Sequence, residues 1–106
     1  MTAETSTPVS ATALPDFNKL VAALAVPARW RLLKPMTNGE RWMASELAPL
    51  AGCSPSMACK HMRVLRYAGL VVKNHARLYN IPKNLLPTPG AAVVDCGFCL
   101  LRLDAI

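Results

Sequence analysis

Residues 45–71 read SELAPLAGCSPSMACKHMRVLRYAGLV, and this stretch decides the fold. Its clearest punctuation is Ser54-Pro55. A serine able to cap a helix, followed by proline at the first helical position, is the favoured order, because the N–H that proline lacks would go unpaired there anyway. The spacing predicts a helix from that point to about Tyr67. Ala58, Met62 and Leu65 form its buried stripe at i, i+4 and i+7, and Ala68-Gly69 ends it. Ser56, Met57, Cys59, Lys60, His61 and Arg63 are its exposed set. Upstream, a helix is expected from about Met43 to Leu50, with Ser45 as a candidate N-cap and Gly52 as a stop. Pro49 is tolerable only near a first turn, so this helix is expected to be distorted or to start late.

Working outward toward the N-terminus, Phe17, Leu20, Val21 and Leu24 fall at i, i+3, i+4 and i+7, one stripe of an amphipathic helix with Pro15 and Asp16 in its first turn. Pro27 opens a short helix with Trp30 and Leu33 on its inner side, and Pro35 stops it. Residues 1–13, rich in Thr, Ser, Ala and Pro, are expected to be a flexible tail. Toward the C-terminus, 70–73 and 77–81 are two short strands joined by Asn74-His75-Ala76, a hairpin signal. Residues 82–92 hold Pro82, Pro87, Pro89 and Gly90, and are expected to form a connector. Residues 93–103 are apolar on both faces as a strand, and the β-branched start favours strand over helix. The expected class is mainly α with a small β-hairpin (α+β): a domain over 14–81, a connector, and an apolar C-terminal segment over 93–106 for dimerisation or for the core.

A chain of 106 residues builds one core, and 53 % hydrophobic content excludes wholesale disorder. No apolar run is long enough to span a bilayer, and the N-terminus has neither the basic start nor the apolar core of a secretory signal. A cytoplasmic protein with reduced thiols and no membrane partner is expected. Twelve basic residues against six acidic give a net charge of +6, and the distribution is lopsided. Between Glu46 and Asp95 there is no acid at all, while Lys60, Arg63, Arg66, Lys73, Arg77 and Lys83 lie there with His61 and His75. Such a one-sign stretch focuses a positive field, and nucleic acid is the commonest polyanionic partner. No phosphate loop, paired carboxylates or paired-histidine zinc motif is present, so no enzyme and no cofactor are expected.

Three short helices followed by a hairpin is the winged helix-turn-helix order. Across residues 24–81, and most specifically over 45–71, the chain resembles the ArsR family of bacterial repressors. Ser54, Ser56, His61, Met62, Arg63, Leu65, Ala68, Gly69, Leu70 and Val71 stand at the positions that carry the resemblance. The resemblance implies a prokaryotic-type, homodimeric regulator that binds double-stranded DNA and represses transcription, with the helix after Ser54 in the major groove. Ser54 and Ser56 would present free N–H groups to a phosphate, and Lys60 and Arg63 would reach phosphates or guanine edges. Met57 and Cys59 stand where family members usually carry threonine and serine, which implies an altered base preference. Lys73, Asn74, His75 and Arg77 would form the tip of the wing.

The family often senses metals through a cysteine-x-cysteine pair near the third helix. Residues 41–45 hold no thiol, so that metal site is not expected. Cys96 and Cys99 are a CxxC whose thiols would lie on opposite faces of a strand, roughly 10 Å apart along the chain. They are expected to be small core hydrophobes, with redox or metal sensing as the alternative. The effector, whether small molecule, metal or oxidant, is left open. A winged-helix module docking an acidic protein partner is the other alternative. The resemblance also implies a dimer built from the first helix and a C-terminal element, for which Phe17, Leu20, Val21, Leu24, Phe98 and Leu100 are the candidates.

Overall fold

The computed structural model describes residues 16–88 and 90–106, so the tail expected over 1–13 lies outside the described residues. Four α-helices come first: α1 (Phe17–Ala23), α2 (Pro27–Leu33), α3 (Ala44–Ala51) and α4 (Pro55–Tyr67). Two antiparallel pairs follow, β1 (Val72–Lys73) with β2 (Tyr79–Asn80), and β3 (Val93–Asp95) with β4 (Leu100–Arg102). The class is α+β, and the order through β2 is compatible with a winged helix. Among the described residues no helix is long and apolar enough to cross a membrane.

Local chemistry sets the helix starts. Asp16 Oδ1 accepts the Lys19 N–H at 3.1 Å to begin α1, and Pro27 takes the first position of α2. Ser54 Oγ accepts the Met57 N–H at 3.2 Å, with Pro55 next, as the sequence predicts. After α2 the chain tightens into a 3₁₀ turn, Lys34–Asn38, closed by Gly39 at φ 87°.

Helix α3 departs from expectation in two ways. Its cap position is Met43, so Ser45 is an exposed first-turn residue and not the cap. The stabilising contact is made by Glu46, whose Oε1 accepts the Met43 N–H at 2.8 Å. Pro49 then lies inside the helix, away from its first turn. The bond it forfeits would have gone to the carbonyl of Ser45. Both residues are exposed, so the Ser45 carbonyl is not forced into a dry interior by the loss. The helix closes at Gly52, φ 73°, where the Cys53 N–H returns to the Ala48 carbonyl at 3.1 Å.

One core joins these elements. Leu20 of α1, Leu32 and Leu33 of α2, Leu47 of α3, and Met62 and Leu65 of α4 are essentially inaccessible. Burying each such side chain contributes roughly 1.5–3 kcal/mol. Trp42 and Tyr79 exchange two backbone bonds, Trp42 N–H to Tyr79 carbonyl at 2.8 Å and the reverse at 2.7 Å. This adds a one-residue third strand to the β1–β2 pair and clamps the hairpin onto the start of α3.

The described residues of the connector expected over 82–92 pack against the domain. Leu85 and Leu86 are buried, the Gly90 N–H donates to the Thr37 carbonyl at 3.0 Å, and the Leu103 N–H donates to the Ala92 carbonyl at 2.8 Å. Residues 93–103 form neither the single strand nor the helix that the sequence suggests. They fold back as a hairpin with register Val93↔Arg102, Val94↔Leu101 and Asp95↔Leu100. Gly97 at φ 85° turns the chain, and Asp95 Oδ1 steadies the turn by accepting its N–H at 2.9 Å. Folding over directs Val94, Cys96 and Leu101 into the core and leaves Phe98 and Leu100 on the outer face exposed.

Candidate nucleic-acid interface

Helix α4 buries Ala58, Met62 and Leu65 and turns Ser56, Met57, Cys59, Lys60 and Arg63 to solvent. His61 breaks the expected exposed set, because it is buried. Arg29 Nε of α2 donates to His61 Nδ1 at 3.2 Å, while Arg29 Nη1 donates to the carbonyls of Ala22 and Ala23 at the end of α1. An Nδ1 that accepts belongs to a neutral imidazole. Burial, and then the Arg29 charge, lower the His61 pKa below its ordinary 6.5. His61 is therefore a packing residue tying three helices together. The signal was available in the spacing, since position 61 lies three after Ala58 and four before Leu65, on the buried side.

Two other candidates are engaged locally. Ser54 caps α4, and its Oγ also lies 3.4 Å from Ser56 Oγ. Asn74 directs its Oδ1 into the hairpin turn, accepting the Ala76 N–H at 2.9 Å and the Leu78 N–H at 3.0 Å. That side chain shapes the tip, which leaves Lys73, His75 and Arg77 exposed on it. Arg77 has φ 64°, a left-handed conformation that costs a non-glycine residue about 1 kcal/mol and that the Asn74 bonds hold in place. Lys73 Nζ lies 5.5 Å from the centre of the Tyr79 ring, so the stem of the strand orients its charge.

The structure brings α4 and the hairpin together. A cleft of about 210 Å³ is lined by Met43, Ala44 and Ser45 from the start of α3, Cys59 from α4, and Lys73, Arg77 and Tyr79 from the hairpin. Met43 and Ser45 were not singled out as site residues. Their membership follows from the Trp42–Tyr79 bridge, which no periodicity announces. Among the described residues no carboxylate lies within ion-pair distance of Lys60, Arg63, Lys73 or Arg77, and the salt bridge present is Arg102–Asp104, 2.8 Å, on the C-terminal hairpin. The cations of this face are thus available to an external anion.

The candidate dimer residues divide. Leu20 is 2 % exposed and belongs to the core, and Leu24 is half-buried, its carbonyl accepting from Trp30 Nε1 at 2.8 Å. Phe17, Val21, Phe98 and Leu100 are each more than half exposed. Phe17 and Phe98 meet edge to face, with ring centres 5.1 Å apart, which joins α1 to the C-terminal hairpin. Cys96 is buried and Cys99 exposed, and both are free thiols facing each other across the Gly97 turn. The opposite-face placement expected for them is overturned by the fold-back, since the 95↔100 register sets 96 opposite 99. Among the described residues no three ligating side chains gather around a common point.

Compared with protein-family models, with curated proteins and with solved structures, the chain gives no match.

Proposed function

We propose that this chain is a sequence-specific duplex-DNA-binding regulator of transcription, a winged helix-turn-helix domain that works as a homodimer with α4 in the major groove. The observation that carries the reading is the shared cleft. Cys59, in the middle of the outward face of α4, lines it with Lys73 and Arg77 of the hairpin, on a face whose cations have no carboxylate partner among the described residues. A helix of 13 residues is about 20 Å long, enough to lie along a groove. Ser56, Met57, Cys59, Lys60 and Arg63 would meet base edges and phosphates, while Lys73, His75 and Arg77 would meet the flanking backbone. His61 has no part in this contact.

Two-fold pairing supplies the second recognition helix that a single module lacks. The exposed Phe17, Val21, Phe98 and Leu100 are the surface for it, since such aromatic and aliphatic groups cluster at interface cores.

The experiment is a salt titration of binding to random-sequence duplex DNA, read by fluorescence anisotropy. Four phosphate contacts per protomer, from Lys60, Arg63, Lys73 and Arg77, make eight in the dimer and correspond to a log–log slope of about −7. An affinity indifferent to salt, or no binding at low salt, would overturn the proposal.

A further inference from the structure

The C-terminal hairpin carries a feature that DNA binding does not use. Cys96 and Cys99 occupy the two ends of its turn, and the Cys96 N–H donates to the Cys99 carbonyl at 3.0 Å. Side chains alternate along a strand, so Cys96 shares the face of Val94, and Cys99 shares the face of Leu101. Val94 and Leu101 are paired and both buried, so the two cysteines lie on the same, core-directed side of the hairpin. Residues directly opposite have Cβ atoms about 4.5–5.5 Å apart, and a disulfide needs about 3.5–4.5 Å. A small adjustment at a glycine turn closes that gap. The outward Leu100, offered above to a second copy, lies on the other side.

We propose that Cys96 and Cys99 form an oxidation site: a hydroperoxide converts the pair into an intramolecular disulfide across the Gly97 turn. The two thiols have distinct parts. Cys99 is exposed and Cys96 buried, so the peroxide meets Cys99 first. Its thiolate attacks the peroxide oxygen and breaks the O–O bond. Hydroxide leaves from hydrogen peroxide (an alcohol from an organic hydroperoxide), and a sulfenic acid remains on Cys99. The Cys96 sulfur then attacks the Cys99 sulfur. The S–S bond forms, the S–O bond breaks, and the Cys96 proton leaves with the departing oxygen as water. Two thiols and one peroxide give one disulfide and two waters. The buried thiol suits the second step alone: burial first, then the neighbouring Cys99 and Asp95, push its pKa up to about 12, so it does not compete for peroxide as a free thiolate.

The turn also holds Phe98, whose ring stacks edge-on against Phe17 of α1.

The test is peptide mapping of the full-length reduced protein after hydrogen peroxide, followed by alkylation of the remaining thiols. Trypsin releases 84–102 with both cysteines. The expected product is this peptide lacking two hydrogens and carrying no alkyl group, restored to double alkylation by prior reduction. Cys53 and Cys59 stay alkylated and serve as internal references. In Cys96→Ala the peroxide product is trapped as a dimedone adduct on Cys99, and in Cys99→Ser, at an exposed position, no disulfide forms. Double alkylation of 84–102 after peroxide, or a disulfide linking either cysteine to Cys53, Cys59 or a second chain, would overturn the proposal. The wild-type map decides the matter even if Cys96→Ala fails to fold. Its outcome does not depend on DNA binding, so this site and the DNA reading fail separately.

Discussion

His61 shows how one residue's surroundings decide its role. As a letter in an exposed set it was a groove contact; its bond from Arg29 makes it a strut between α2 and α4. The bond requires a neutral ring, so the folded state resists protonation and holds the His61 pKa below 6.5. The unfolded chain then binds more protons in that window, and stability rises with pH there. Stability is full above about pH 6.5 and declines as the pH falls from there through the lowered folded value. Thermal melts between about pH 7.5 and pH 5 check this. The wild type should lose more stability over that range than His61→Asn, which keeps an acceptor but cannot titrate. Parallel pH profiles for the two proteins would refute it. The exposed His75 does not distinguish them.

At the scale of elements, α4 was the most legible part of the chain. Ser54-Pro55 announced the start of α4, and the Ala58, Met62, Leu65 stripe announced its inner face, because both depend only on local stereochemistry and on a period of 3.6. Ser54→Ala should therefore cost about 1 kcal/mol in chemical denaturation with the fold intact, and a loss below about 0.3 kcal/mol would mean that the Met57 bond contributes nothing. Pro49 lies inside α3 and not in its first turn, at an exposed position where the bond it forfeits is not lost to a dry interior. The C-terminal hairpin is not legible in the sequence. Val93 to Leu103 has apolar groups at every period, so pattern could not separate strand from helix or from a fold-back. The one usable sign was Gly97, a glycine at the first central position of a two-residue turn. The Trp42–Tyr79 bridge left no local sign, since it joins residues far apart in the chain through backbone atoms alone.

At the scale of the molecule, two surfaces stand out. One is the cationic face of α4 and the β1–β2 hairpin; the other is the apolar seam where α1 meets the C-terminal hairpin. The seam is the candidate two-fold contact. Removing the hairpin would be a poor test of it, because Val94, Leu101 and Leu103 are core residues whose loss would unfold the domain. Phe17→Ser with Phe98→Ser spares the core. In analytical ultracentrifugation the wild type should sediment as a dimer and the double variant as a folded monomer. A wild type that stays monomeric at high concentration, or a variant that remains dimeric, would refute the assignment of this seam. The charge asymmetry behind the other surface was visible in the acid-free stretch 47–94, but that its cations meet no carboxylate from the rest of the described chain is a property of the fold. Which of its cations share a cleft could not be read, because that depends on how the hairpin is clamped to α3.

The most direct test of the central claim is the affinity of Lys60→Ala/Arg63→Ala for the operator that the wild-type protein selects from random duplexes. The two substitutions remove contacts to phosphates or guanine edges on both protomers, so the double variant should bind about tenfold more weakly or worse, with a shallower salt dependence and an unchanged melting temperature. Equal affinity for that operator in the wild type and the folded double variant would contradict the account.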